Sequence, residues 1–371
     1  MQQRYLGPTA TTIAAIGQGT SVIGAKEGRS ASAVGEAIRL LRLGIDLGMT
    51  LIDTAEAYGE GSSEELVGEA IHGIRDQVVV ATKFSPEHSA FADVIRAAEM
   101  SLRRLKTDYI DLYQTHWSNP AVRIEETLQA LEKLVQDGKV RYVGLSNLSA
   151  KEVQYAYACL TTTCVASVQQ EYNLVDRSIE EDLLPLCRAQ QITLIAYSPL
   201  AQGKLAGRDG KSAQMAVIAQ KYNMSVAQLA LSWLLRDPCV VTIPQTSSER
   251  HLRSNAAALA YVVDPDDYEQ ISRLFTPEIH YIPPDCIEVV GEADEQIYTT
   301  LAEALENRFN FVPSPQELAE QMVDGDLLKP FKVRPVQAGA KAYQLIEGKR
   351  VRYWAWVIAH QGNAPIPALI E

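Results

Sequence analysis

A short apolar run followed by a stretch of helical period recurs eight times over about the first 260 residues, and this rhythm constrains the fold more than any other feature of the chain. The runs fall at 12–20, 50–54, 78–83, 109–116, 140–146, 167–172, 192–198 and 240–244, with a further short strand expected before residue 12. The helical stretches that follow them fall at 32–45, 64–74, 91–105, 124–137, 150–160, 179–190, 211–222 with 226–235, and 248–258. Strands that alternate with helices build a parallel sheet covered by its own crossovers, and eight such units of this size predict an α/β fold, a (β/α)8 TIM barrel.

The rhythm breaks after Phe275. Thr276-Pro277-Glu278 and Pro283-Pro284 punctuate a change of pattern. A strand is expected at 286–290, helices at 296–307 and 315–323, strands at 331–336 and 342–346, a helix from Gly348 through His360 and a last strand at 366–370. A length of 371 residues suits two domains, a barrel at 1–278 and a small α+β domain at 279–371. No internal repeat or low-complexity tract interrupts them.

Bulk properties exclude several classes. A formal net charge of −12 argues against electrostatic binding to nucleic acid or a membrane surface. Five cysteines with no CxxC pair fit reduced thiols in the cytoplasm and no metal site. The N-terminal residues lack the apolar run of a signal peptide, and no apolar segment is long enough to span a bilayer.

In a barrel of this kind the chemistry lies at the carboxyl ends of the strands. Asp53 ends one run, and Tyr58 follows five residues later in a loop opened by glycines. Ser62 or Ser63 is the expected N-cap of the next helix, with acids in its first turn. Lys83 and His116 end the next two runs. Asp53 and Tyr58 alone would read first as a turn cap and a surface side chain. A Lys ending a buried strand is different, because its charge needs a partner there, and Asp53 is available.

These residues sit in Ile52-Asp53-Thr54-Ala55-Glu56-Ala57-Tyr58-Gly59, Val80-Ala81-Thr82-Lys83-Phe84 and Asp111-Leu112-Tyr113-Gln114-Thr115-His116-Trp117. Further along come Val143-Gly144-Leu145-Ser146-Asn147, Ser167-Val168-Gln169-Gln170-Glu171-Tyr172-Asn173, Ala196-Tyr197-Ser198-Pro199-Leu200, Ile243-Pro244-Gln245-Thr246-Ser247 and Asn255. Over residues 5–275 the chain resembles the aldo-keto reductases, with these motifs in that family's order. The resemblance implies a reductase of small aldehydes or ketones, or the reverse dehydrogenase. Tyr58 would be the proton donor. A free phenol has a pKa of about 10, and an ammonium beside it stabilises the phenolate and draws that value down. Lys83 would be that ammonium, Asp53 would keep it charged and aimed, and His116 would orient the carbonyl. Trp117 reads either as a pocket wall or as rim packing.

The same resemblance implies NADPH held without a Rossmann fingerprint, and none is present. Ser146, Asn147 and Gln169 would hold the nicotinamide carboxamide, and Tyr197 would stack on the ring. Ser198, Pro199, Leu200, Gly203 and Lys204 would follow the pyrophosphate, and the small residues Gly19 and Thr20 would let the cofactor approach the backbone. Ile243, Gln245, Thr246, Ser247, Arg250, His251 and Asn255 would take the adenosine end. Gln245 departs from the Lys or Gly, and His251 from the Arg or Gln, found there in many relatives. Thr246, Ser247 and the helix start can still bind a phosphate, and Arg250 adds charge, so NADPH is expected with NADH left open. The 199–213 segment is short beside that of many relatives, so the resemblance does not imply a full belt over the cofactor.

Residues 315–335, 343–353 and 362–370 resemble the ParB-like/sulfiredoxin fold. In that family a Gly-x-x-Arg turn at a helix start binds nucleotide phosphates. Here Val351 stands at the Arg position, flanked by Arg350 and Arg352, so Gly348, Lys349, Arg350 and Arg352 are candidates for a nucleotide site. A domain used for packing, self-association or docking a protein partner is the other reading. Residues 281–371 hold eight Lys+Arg against thirteen Asp+Glu, which argues against DNA. Trp354 and Trp356 read as core or interface. Two rivals to the reductase therefore stand: an NADP(H)-binding redox sensor or scaffold with slow turnover, and a nucleotide-regulated fusion acting through the second domain.

Overall fold

The computed structural model describes residues 2–23, 30–206, 210–291, 295–322, 330–336, 341–347 and 351–370. The chain forms two compact units, Met1–Phe275 and Thr276–Glu371. The first opens with β1 (Gln3–Tyr5) and β2 (Thr12–Ala14), paired antiparallel. The expected barrel strand at 12–20 is thus divided. Thr12–Ala14 belongs to this hairpin, and only β3 (Gln18–Gly19) enters the barrel. Leu6 and Ile13 of the hairpin pack with Leu51, Ala81, Leu112, Ala166, Ile195 and Val241, which face the barrel interior. An apolar run that plugs a barrel reads like one that lines it, because both are buried.

The remaining barrel strands are β4 (Leu51–Asp53), β5 (Val79–Phe84), β6 (Ile110–Thr115), β7 (Val140–Ser146), β8 (Val165–Glu171), β9 (Thr193–Tyr197) and β10 (Val240–Thr242). They form one eight-stranded sheet in sequential order from β3 to β10, parallel throughout. The parallel bridge between Ile16 and Thr242 closes the sheet on itself.

Around it lie α1 (Ala31–Asp46), α2 (Ser62–Ile71), α3 (Phe91–Leu105), α4 (Ile124–Gln136), α5 (Ala150–Cys159), α6 (Leu183–Ala189), α7 (Gly210–Lys221), α8 (Val226–Leu234), α9 (Glu249–Ala256) and α10 (Pro265–Phe275). The rhythm of the sequence omitted α10, although Pro265 with Asp266 and Asp267 is a helix-start signal. The cap of α2 is also corrected. It is Gly61 at φ 91°, not a serine. Ser63 instead turns inward and donates to Thr20 Oγ1 at 2.7 Å. No described helix is long and apolar enough to cross a membrane.

Close packing sets one local requirement. A Cβ at Gly68 on α2 would lie 2.8 Å from the backbone oxygens of Arg104 and Leu105. Gly68→Ala is therefore expected to destabilise the barrel by about 1–3 kcal/mol through overpacking, read as a lower urea midpoint with unchanged slope.

The second unit holds β11 (His280–Ile282), β12 (Ile287–Glu288), β13 (Phe331–Pro335), β14 (Tyr343–Leu345) and β15 (Ile366–Ile370) in the order β11-β15-β13-β14-β12, a mixed sheet. Its helices are α11 (Leu301–Leu305), α12 (Pro315–Met322) and α13 (Arg352–Ala359). Strand β11 occupies what read as linker, ended by Pro283. The helix expected from 296 starts only at Leu301, capped by Thr300. Ile297 and Tyr298 are drawn into the core before it, where Tyr298 O accepts from Trp354 Nε1 at 2.7 Å. Of the candidate phosphate ligands, Gly348, Lys349 and Arg350 lie outside the described residues. Arg352 lays its guanidinium over the Phe331 ring, 4.5 Å from the centroid, and burial lowers its pKa. Stacking occupies a face of the guanidinium and leaves its in-plane N–H groups, the ones a phosphate would bind, uncommitted to Phe331.

Candidate active site

The parallel register brings the ends of β4, β5 and β6 side by side, so Asp53, Lys83 and His116 meet at one mouth of the barrel although far apart in sequence. Lys83 is fully buried. Its Nζ donates to Asp53 Oδ1 at 2.6 Å and to Thr54 O at 2.9 Å, and lies 3.4 Å from the Tyr58 hydroxyl. Burial is the largest influence on this ammonium and opposes its charge, but Asp53 and Tyr58 more than offset it and hold the pKa above the ordinary Lys value. Asp53 Oδ2 accepts from Gln169 Nε2 at 2.7 Å and from Gln114 Nε2 at 3.5 Å.

Tyr58 corrects one expectation. Lys83 does draw its pKa down, but burial raises it by more and Asp53 adds to the rise, so the phenol sits above its ordinary value. Its ring meets His116 edge-on, with centroids 5.6 Å apart. His116 is buried and stacks on Trp117 at 3.8 Å. Its buried Nδ1 has no hydrogen-bond partner among the described residues. Burial, aided by the Lys83 charge, pushes its pKa down to about 3, so the imidazole is neutral near pH 7.

This depression predicts an acid sensitivity. Below the ordinary His value of 6.5 the unfolded chain takes up a proton that the folded chain refuses until about pH 3. Stability should therefore fall as the pH drops through that window, by up to about 1.4 kcal/mol per pH unit from this group. Urea midpoints of wild type and His116→Asn between pH 7 and about 4 check it. The variant should lose less stability on acidification, and parallel curves would show that His116 contributes nothing.

A cleft of about 1270 Å³ opens at this mouth. It is lined by Asp53, Tyr58, His116 and Trp117, and by the predicted cofactor residues Gly19, Thr20, Asn147, Gln169, Tyr197, Ser198, Pro199, Leu200, Gly203, Ile243, Gln245, Thr246 and Ser247. Lys83 lies behind Asp53 and Tyr58. Asn147, at φ 56°, donates to Ser146 Oγ at 3.1 Å and to His116 O at 2.8 Å, and accepts from Tyr197 OH at 2.9 Å. Five predicted cofactor residues, Ser146, Lys204, Arg250, His251 and Asn255, are not in the lining, and Ser146 is buried. Lys204 is exposed, Asn255 is buried in α9, and Arg250 and His251 are exposed with Nη2 and Nε2 3.0 Å apart.

Sequence reasoning passed over Gln114. Its signal was alternation, since it shares a face of β6 with Leu112 and His116. It also passed over Gln18, Ala37 and Leu40, which line the cleft from β3 and α1 but read as core positions. Two observations fit a dinucleotide with this lining. Gln245 Nε2 is buried without a partner among the described residues, while its Oε1 accepts from Ser21 Oγ at 2.7 Å and so links the loops on either side. At Gly19 a Cβ would lie 2.8 Å from Ile243 O, so the groove floor there is bare backbone.

A parallel barrel with a buried Lys–Asp pair beside a Tyr at its strand ends defines an oxidoreductase of the α/β-barrel class. The model of the aldo/keto reductase family matches residues 15–275, and the chain belongs to that family. The methylglyoxal reductase YeaE of Escherichia coli (strain K12) is 42% identical over 261 residues, 70% of this chain and 90% of that protein. The crystal structure of a Klebsiella pneumoniae aldo/keto reductase in complex with NADP and acetate is 40% identical with a TM-score of 0.67, covering 75% of this chain and 97% of that one. The thermostable aldo-keto reductase Tm1743 with the inhibitor epalrestat is 36% identical with a TM-score of 0.70, covering 74% and 100%.

Proposed function

We propose that this chain reduces a small aldehyde or ketone with NADPH, or runs the reverse oxidation. The observation that carries this reading is the buried Lys83 ammonium, 2.6 Å from Asp53 and 3.4 Å from the Tyr58 hydroxyl at the floor of the cleft. Bound NADPH supplies the hydride. Tyr58, protonated at neutral pH, gives its proton to the carbonyl oxygen, and Lys83 stabilises the phenolate that remains. Asp53 keeps Lys83 charged and in place. His116, neutral, orients the carbonyl by a hydrogen bond. Asn147, Gln169 and the adjoining Ser146 suit the nicotinamide carboxamide, Tyr197 its ring, Ser198 to Gly203 the pyrophosphate, and Gln245, Thr246 and Ser247 the adenosine end.

Methylglyoxal, named for the Escherichia coli relative, is the first carbonyl to test. Fluorescence titration with NADPH and NADH, followed by a carbonyl screen, tests the whole reading. Tight NADPH binding with turnover supports it. Tight binding with no turnover on any carbonyl would favour a redox sensor instead. For the second unit we propose a ParB-like fold, supported by its five-stranded mixed sheet and the helix α13 that leads into β15. The five unpaired cysteines support a cytoplasmic assignment.

A further inference from the structure

The loop that carries Tyr58 is anchored by a residue that no step above uses. Residues 54–61 run from β4 into α2 through three consecutive left-handed positions, Gly59, Glu60 and Gly61, at φ 57°, 54° and 91°. Tyr58 itself is tied locally only through its backbone, its N–H donating to Ala55 O at 3.1 Å and its carbonyl accepting from Ser63 N–H at 3.2 Å. Turns of this kind do not by themselves fix where a side chain ends up relative to a neighbouring strand.

Glu56 supplies that reference twice. Its backbone N–H donates to Lys83 O at 3.1 Å. Its Oε1 accepts from the Ser85 N–H at 2.6 Å and lies 2.7 Å from His88 Nδ1. The carboxylate is largely buried, with Arg104 Nη2 4.0 Å from its other oxygen. Arg104 is itself pinned, its Nε donating to Glu64 Oε2 at 2.6 Å, while Glu64 Oε1 accepts from Thr82 Oγ1 at 2.5 Å. Arg104 also passes so near Gly61 that a Cβ there would lie 2.5 Å from its Cδ. The Tyr58 loop is thus joined to β5 at Lys83 and to Ser85 just beyond it, and the start of α2 is joined to β5 at Thr82 through Glu64. Glu56 is not among the residues lining the cleft.

We propose that Glu56 is a positioning residue for the reduction: its carboxylate, bonded to the Ser85 N–H, holds the loop so that the Tyr58 hydroxyl stays within reach of Lys83 Nζ. The proposal rests on proton transfer by Tyr58. A displacement of about 1 Å at a reacting group is enough to cost about 100-fold in rate. Nothing in the role requires Glu56 to contact substrate or cofactor.

The test compares full-length wild type, Glu56→Ala, Glu56→Gln and Tyr58→Phe with NADPH and one carbonyl. Glu56→Ala is expected to lower kcat about 100-fold, to leave NADPH affinity by fluorescence unchanged, and to enlarge the solvent deuterium isotope effect on kcat as proton transfer becomes limiting. Glu56→Gln retains an oxygen for the Ser85 N–H and should recover most of that loss. An unchanged kcat in Glu56→Ala beside an inactive Tyr58→Phe overturns the positioning role alone. So does a loss with no change in the isotope effect, or a Gln variant as impaired as Ala. Wild-type kcat in Tyr58→Phe overturns the proton-donor assignment and the positioning role with it.

Discussion

Replacing Tyr58 with Phe is expected to lower kcat for carbonyl reduction by about 100- to 10,000-fold while leaving NADPH affinity unchanged. The substitution removes one oxygen and keeps the ring edge-on to His116 and near Lys83. Burial holds the Tyr58 phenol above its ordinary pKa, so near neutrality it is the protonated form that faces the cleft. His116, whose ring meets that of Tyr58, has a value of about 3 that leaves it neutral and a weak source of protons. A phenol with a raised pKa is also a reluctant acid, so the Lys83 ammonium matters most when the phenolate forms. Steady-state kinetics with separate measurement of cofactor affinity distinguishes the outcomes. A variant with wild-type kcat would mean that another group, or water, protonates the carbonyl oxygen.

Lys83→Met should remove both activity and stability, and the two losses can be separated. A buried carboxylate deprived of its cation costs about 3–5 kcal/mol. Asp53 would keep the amide donors of Gln169 and Gln114 but lose the 2.6 Å contact to Nζ. In the wild type the sign is clear. Because the folded Lys83 pKa lies above 10.5, its stabilising contribution is fully present below that value and is lost only as the pH rises through the folded pKa. Lys83 therefore adds no pH dependence near neutrality. Adding Asp53→Asn to Lys83→Met removes the stranded charge, and the double variant should regain much of the stability while remaining inactive. Recovery of activity along with stability would show that the pair serves the fold and not the reaction.

Legibility varied with the kind of signal. Asp53, Lys83 and His116 could be picked out because an ionisable residue at the end of an apolar run is conspicuous. The last strand was readable to its residues, 366–370, from its apolar composition and flanking proline. The hairpin strand Thr12–Ala14 was assigned to the barrel because composition does not distinguish a plug from a wall. The cap at Gly61 rests on a left-handed φ of 91° and on room for the Arg104 side chain of α3, forty-three positions on, and the second of these is not carried by neighbouring residues. Helix α11 starts late because Tyr298 is committed to the core beneath Trp354, a contact made across 56 residues.

Local periodicity and turn chemistry are carried by neighbouring residues, so the barrel class, its strand–helix rhythm and the residues at the strand ends were present in the chain's order. Distances, exposure and pKa directions depend on what other segments bring alongside. Only the folded arrangement shows that burial outweighs Lys83 at Tyr58, that His116 stays neutral, that Arg250 and His251 stand outside the cleft, and that Glu56 ties the Tyr58 loop to β5. Each of these is a balance between charge and desolvation, or a contact between distant segments, and neither has a signature in a single stretch of sequence.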